Sequence, residues 1–311
     1  MSEYDESYLE QQRQIAIEMT RAVRNAHMKR SYLNLFPCRV SDYLNSIKRT
    51  PPKPTLRQYQ KYAKQDEGIT LGKRIKAFFN DDEDKALQKK IELAEAEAKK
   101  NYEIASQEYS RQIEAESERL RVIDDALISH EKEVTEEYFS FCLHQDSIPN
   151  NGLEDFEFRF SDLCYSANNK TLSFYYRLPE KGAVALVNKY EFSEDYNHIV
   201  YTPLEDEYAT LYYKNELQAL VFRAASVLFL SDEYKSIDSI DIIGFIDYYD
   251  PSYGTNQLKN VMRVTICATE FAKVDITKVE IDRFLSSHAQ MSVSAGLYEM
   301  KAYEVDDLNP S

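Results

Sequence analysis

Tryptophan is absent from this chain, and glycine occurs only 7 times in 311 residues. So little glycine argues against folds built on glycine-rich phosphate loops. The sequence indeed holds no G-x-x-x-x-G-K-[ST], no G-x-G-x-x-G and no G-x-S-x-G, so the usual signatures of nucleotide hydrolysis and serine hydrolysis are missing. Cysteine is nearly as scarce. Cys38, Cys142, Cys164 and Cys267 are scattered, with no C-x-x-C pair and no spacing suited to a metal. The five histidines are equally dispersed, and Cys142 and His144 would share a side only on extended backbone, whereas the local pattern is helical. No metal and no cofactor is expected. No apolar run approaches the roughly 20 residues of a membrane helix. With no leader pattern and no disulfide framework, the expectation is a soluble, cytoplasmic chain without a membrane partner.

One absence organises the rest. Between Lys73 and Ile148 there is neither glycine nor proline, and most of that stretch reads as one long charged helix. It separates two ends of opposite sign. The first 80 residues carry a net charge of +7 and the remainder −22, giving −15 in all. An acidic bulk of that size would be repelled by phosphate, which argues against the whole molecule coating nucleic acid.

The pattern predicts a basic helical head over 1–50, with a helix from Tyr8 to about Leu35 and a shorter one near Val40–Ile47. A proline- and glycine-punctuated linker follows over 51–80, then the long helix over 81–148. The apolar positions of that helix run Leu87, Ile91, Ala94, Ala98, Tyr102, Ala105, Tyr109, Ile113, Glu116, Leu120, Ile123, Leu127 and His130, and on to Phe141. This stripe advances about 3.6 residues per step, where a durable left-handed coiled coil holds closer to 3.5. A straight amphipathic helix is expected rather than a zipper, with a break near Ser129–Glu133. Beyond 149 the period shortens to two. Strands are expected at Phe156–Phe160, Leu172–Tyr176, Leu186–Phe192, Ile199–Tyr201, Ile237–Tyr248, Leu258–Phe271 and Tyr298–Tyr303. Helices are expected at Leu204–Ser231 and Asp275 to about His288. In the first of these helices Leu211, Leu217, Leu220, Val221, Ala224, Ala225, Leu228 and Phe229 crowd one side. The fold class is α+β: a helical N-terminal part, a long charged helix, and a mostly antiparallel sheet with packed helices over 149–311.

Several segments, taken in order, resemble the region upstream of the nuclease domain in Mrr-like restriction endonuclease proteins. They are Glu137-Tyr-Phe-Ser-Phe-Cys-Leu-His-Gln-Asp-Ser-Ile-Pro149, Asn169-Lys-Thr-Leu-Ser-Phe-Tyr-Tyr-Arg-Leu-Pro179, Asn188-Lys-Tyr-Glu-Phe192, Phe222-Arg-Ala-Ala-Ser-Val-Leu-Phe-Leu-Ser-Asp232, Ile237-Asp-Ser-Ile240 with Gly244, and Asp275-Ile-Thr-Lys-Val279. In those proteins a PD-(D/E)xK nuclease domain follows, whereas this sequence stops at Ser311. The resemblance therefore implies a context, restriction or anti-phage defence, and lends no catalytic residue. Arg223 and Asp232 match the pattern and are expected to serve as a structural pair or helix cap.

Candidate chemistry is sparse. Glu299-Met-Lys301 has the spacing of a metal-dependent nuclease triplet, but its upstream acid would be Asp275 or Asp282 on a helix. Glu270 and Lys273, three apart on a strand, would face opposite ways. No catalytic residue is assigned. The basic residues Arg21, Arg24, Lys29, Arg30, Lys48 and Arg49 could contact DNA phosphates or an acidic protein surface. Tyr212-Tyr213 and Tyr248-Tyr249 could mark a protein interface or pack the sheet. The expected role is a non-catalytic scaffold or adaptor that positions a nuclease, ATPase or DNA substrate of a defence system, as a homo-oligomer. A DNA-binding accessory subunit is the alternative, and a degenerate metal-dependent nuclease is a lower one.

Overall fold

The computed structural model describes residues 6–29, 35, 37–69, 81–146, 159–180, 187–250 and 252–293. Residues 156–158 of the strand expected at Phe156–Phe160, the strand expected at Tyr298–Tyr303, and the Glu299/Lys301 pair lie outside them. The architecture is α+β: eight helices and seven strands among the described residues. Contacts divide the chain into two compact units, one formed by 1–43 together with 126–311 and the other by 44–125.

The smaller unit is helical. Its α3 (Leu56–Asp66) lies along α4, which runs Asp81–Ile128, its last three residues belonging to the other unit. Ala94 and Ala98 of α4 and Ala63 of α3 form a buried cluster, with Tyr59 and Ile69 packed against it. The rings of Tyr59 and Tyr102 meet edge-on at 6.3 Å, and Lys64 Nζ reaches Glu95 at 3.0 Å. The odd residue in the apolar stripe, Glu116, has a specific task. It accepts hydrogen bonds from the backbone N–H of Arg49 (2.8 Å) and from Arg119 (2.7 and 3.0 Å), and Arg119 also donates to the carbonyl of Ile47 (2.8 Å). The face that would seam a zipper is thus occupied by this chain's own residues 47–69.

In the larger unit α4 ends where sequence placed a break. Glu131 N–H donates to Ala126 O and His130 N–H to Leu127 O, a Schellman closure with His130 at φ 60°. The helix expected over 81–148 therefore resumes as a separate α5, Lys132–Gln145. A five-stranded sheet follows in the order β1-β2-β5-β6-β7: β1 is Phe160–Ser166, β2 Thr171–Arg177, β5 Ser239–Asp250, β6 Thr255–Cys267 and β7 Gln290–Val293. Only β2–β5 is parallel. Strands β3 (Val187–Ser193) and β4 (His198–Pro203) pair separately, and α1 (Glu6–Lys29) packs on β3, where Tyr190 N–H donates to Thr20 Oγ1 at 2.8 Å.

Register aligns Leu172, Ile240 and Ile266, then Phe174, Ile242 and Val264, across one sheet face. Helix α6 (Asp206–Ser231) serves this core and also contacts α5 and α8 (Ile281–His288). Every residue from Leu220 to Leu228 is buried, so α6 is wrapped on all sides rather than on one. Leu211, expected on its buried side, is instead exposed, since it precedes the wrapped stretch. Two further expectations change. Residues 268–271 form a helical turn, α7, in place of the end of a strand, and the helix expected from Asp275 begins only at Ile281.

Gly244 is a packing requirement. It sits beside a bulge in the β5–β6 ladder, and a Cβ there would clash with the buried side chain of Leu178. Replacing it with valine should cost about 1–3 kcal/mol through overpacking, read as a lower denaturant midpoint. Glu116 gives a second check. Its hydrogen bonds from Arg119 and Arg49 hold its carboxyl at about 2, down from 4.5. A depressed carboxylate contributes stability that is complete above the ordinary value and is lost as pH falls through the folded one. The Glu116 carboxyl carbon should therefore titrate near pH 2 by NMR, with the 47–49 contact loosening between about pH 4.5 and 2.

Candidate functional site

The described members of the sequence-derived basic set are divided between the two units. Arg21, Arg24 and Lys29 lie on α1 in the larger unit, Lys48 and Arg49 follow α2 (Val40–Ile47) in the smaller one, and Arg30 lies outside the described residues. Two groups beside or within this set are engaged with acids of the same chain. Arg13 on α1 pairs with Glu194 and Glu10, which raises its own pKa. The Arg49 backbone is bound to Glu116.

Arg223 and Asp232 have clear structural settings. The Arg223 side chain is 0% exposed in the middle of α6, and its partner is Asp146 at the C-cap of α5, which is 6% exposed. Nε donates to Oδ2 at 3.0 Å and Nη2 to Oδ1 at 2.5 Å, a bidentate fork. Asp232, the C-cap of α6, accepts the N–H groups of Ser236 and Ile237 at 2.8 Å each. Burial pushes its carboxyl up, and these bonds together with nearby His130 pull it back. His130 Nδ1 lies 3.0 Å from Ser236 Oγ, so the broken helix is anchored to the turn after α6.

Three other groups of polar residues bear on chemistry. On the sheet face opposite the core, Asp241 accepts from Arg263 (3.1 and 2.8 Å) and Thr265 (2.9 Å), and Arg177 approaches Asp247 at 3.5 Å. A cleft of about 540 Å³ is lined by Glu270, Lys273, Asp275, Arg283, Phe284 and His288, among others. Sequence placed Glu270 and Lys273 on opposite faces of a strand. Because α7 is helical they fall on one side and pair at 2.6 Å, with His288 Nδ1 3.4 Å from the other Glu270 oxygen. Lys273 holds the Glu270 carboxyl below its usual range, and bonds from Thr277 and Lys278 do the same for Asp275. Carboxylates held ionised and paired in this way are poor proton donors at neutral pH. The buried thiols of Cys38 and Cys142 form the third group. They contact one another, and burial raises both pKa values, the reverse of an activated nucleophile. Among the described residues no group of three His, Cys, Asp or Glu could hold a metal ion, and no helix is long and apolar enough to cross a membrane.

Of the four paired tyrosines, Tyr213 is buried and donates to Pro179 O at 2.8 Å, and Tyr248 lies under Lys259 Nζ at 4.2 Å. Tyr212 is half-buried, whereas Tyr249 is largely exposed. Sequence gave no hint of a second exposed set. Tyr196 on the β3–β4 turn, Tyr201 on β4, and Tyr208 and Leu211 at the start of α6 are all more than half exposed.

The Arg223–Asp146 pair generates a direct test. Asp146→Ala should strand a buried guanidinium and cost about 3–5 kcal/mol, whereas Arg223→Met with Asp146→Leu should lie near neutral, both read by chemical unfolding. If the single and double changes cost the same, the pair is not the tie described here.

No family model matches the chain, and neither any curated protein nor any solved structure matches it; the likeness to the Mrr-like region rests on the sequence segments alone.

Proposed function

We propose that this chain is a non-catalytic scaffold or adaptor of a restriction or anti-phage defence system, working by holding a nuclease or ATPase component. The observation that supports it is how the polar and aromatic side chains are used. The described acids and bases with catalytic potential are engaged with one another as ties: Arg223 with Asp146, Asp241 with Arg263, Glu270 with Lys273. The large side chains left open to solvent around β3, β4 and the start of α6 are instead tyrosines and a leucine. Tyrosine at an exposed, rigidly backed position suits protein contact, because it brings apolar area and a hydroxyl at low entropic cost. The defence context comes from the sequence resemblance, and the acidic net charge of −15 suits a protein partner better than a phosphate backbone.

The test is co-expression with the products of neighbouring genes, followed by purification through a tag on this chain. A nuclease or ATPase should co-purify in fixed ratio, and Tyr201→Ser with Tyr208→Ser should abolish that while leaving the melting temperature unchanged. Duplex DNA should bind weakly at moderate salt. Tight binding that falls steeply with salt and disappears on Arg21→Ala with Arg24→Ala would replace this reading with a DNA-binding subunit. Magnesium-dependent nicking lost on Glu299→Ala would replace it with a nuclease.

A further inference from the structure

Tyr138 and Cys142 stand four residues apart on α5, so their side chains share one face of the helix, a single turn apart. Both are buried. That face meets the end of α6 and the segment just before α2. The Tyr138 hydroxyl donates to Ser231 O at 2.6 Å and to Cys38 O at 3.1 Å, and Cys38 N–H donates to Ser231 Oγ at 2.9 Å. The Cys142 thiol closes the group, hydrogen-bonded to Ser231, to Tyr138 and to the Cys38 thiol. Ser231 is thus a partner of both cysteines, and two sulfurs meet inside the larger unit.

A buried cysteine commonly serves as a small apolar side chain, and one such residue implies no chemistry. This pair differs because each sulfur has the other as a partner, although Cys38 lies 100 residues before Tyr138 in the chain. The remaining cysteines lack that arrangement. Cys164 on β1 and Cys267 on β6 are exposed, and β2 and β5 lie between their strands.

The two sulfurs are also unequal. The Cys38 thiolate is supported by the hydrogen bond from Cys142, whereas that same bond keeps the proton on Cys142. A disulfide is about 2.05 Å long, so the sulfurs must draw together to form one. Cys142 is fixed in a helix, and Cys38 sits on non-helical backbone that can give.

We propose that Cys38 and Cys142 are a redox-responsive pair, which a hydroperoxide closes into a disulfide that fastens residues 37–43 to α5. Cys38 acts first. Its sulfur attacks the peroxide, a sulfur–oxygen bond forms as the oxygen–oxygen bond breaks, and the departing hydroxide takes the thiol proton as water. Cys142 then attacks the Cys38 sulfenic acid. The sulfur–sulfur bond forms, the sulfur–oxygen bond breaks, and the Cys142 proton leaves in a second water. Two thiols are oxidised and one peroxide is reduced to two waters. Burial raises both thiol pKa values, so closure is slow and needs sustained oxidant. The pair stands independently of the scaffold reading above and is tested without any partner protein.

The test uses the full chain with the exposed Cys164 and Cys267 changed to serine. Hydrogen peroxide should remove both remaining thiols, counted in denaturant, and lower the mass of the monomer by two hydrogens. Proteolysis without reductant should release the peptides of Cys38 and Cys142 joined, and dithiothreitol should reverse every change. The cross-link encloses roughly 100 residues, so the closed form should unfold about 1 M higher in urea. Cys142→Ser should instead leave a sulfenic acid on Cys38 that dimedone traps. The joined peptide is read on the native pair, so the result does not hinge on how that variant folds. Thiols that persist, or a gain of oxygen with no joined peptide, would overturn the pairing. A joined peptide with an unchanged or lower urea midpoint would overturn the fastening.

Discussion

The fold of the larger unit depends on a guanidinium buried where water cannot reach it. Helix α6 is enclosed on every side from Leu220 to Leu228, and Arg223 stands in the middle of that stretch. An unpaired charge there would cost several kcal/mol, so the fold exists only if a carboxylate is brought to it. Asp146 supplies that carboxylate from the last turn of α5, and the pair also acts on the phenol of Tyr176 in β2, whose pKa burial pushes upward. Helix end, helix middle and sheet face thus meet at one ion pair.

That pair is one of three polar ties that set α5 antiparallel to α6, and they fall in sequence order. Asp146 binds Arg223, then Tyr138 donates its hydroxyl to Ser231 O (2.6 Å) and Cys38 O (3.1 Å), and then His130 meets Ser236. A hydrophobic contact tolerates a slip of one turn, because apolar area is non-directional. Three directional bonds at fixed offsets do not. Tyr138 also draws the segment around Cys38 onto the helices, where Cys38 N–H donates to Ser231 Oγ at 2.9 Å and Tyr43 donates to Glu137 at 3.1 Å. The N-terminal residues are in this way built into the α+β unit.

What could be read from sequence divides along the range of the interactions. The long helix's stripe was legible residue by residue. Ala94, Ala98 and Leu127 are buried, and Ile91, Tyr102, Tyr109, Ile113 and even Glu116 are half-covered. A helix repeats every 3.6 residues whatever it packs against, so the covered face is fixed locally. The identity of the cover was not legible, because it depends on α3 lying against alanines more than thirty residues further along the chain. Arg223 could be recognised as one member of a pair, but its partner lies 77 residues earlier, and nothing in either segment names the other. Glu270 and Lys273 were misplaced for a related reason. The alternation of β6 runs through Met262, Val264, Ile266 and Ala268 and is lost at Glu270 and Phe271, where the chain forms a helical turn instead. The described residues of β7, Gln290–Val293, were not expected as a strand and pair with the edge of β6.

The contrast in charge along the chain takes on a different meaning once these contacts are placed. Composition suggested a basic head set against an acidic tail, with DNA phosphates and an acidic protein surface both open as the head's partner. The described part of the first 69 residues is divided between both units, and two of its cations meet acids of the same chain: Arg13 with Glu194, Lys64 with Glu95. Each such pair removes a cation that counterion release on DNA would have used. These pairs are exposed and contribute little stability individually, so their effect is mainly on what the surface can attract. A net charge of −15 repels phosphate over the molecule as a whole, and the scaffold role proposed above would rest on the exposed aromatic side chains around β3, β4 and the start of α6.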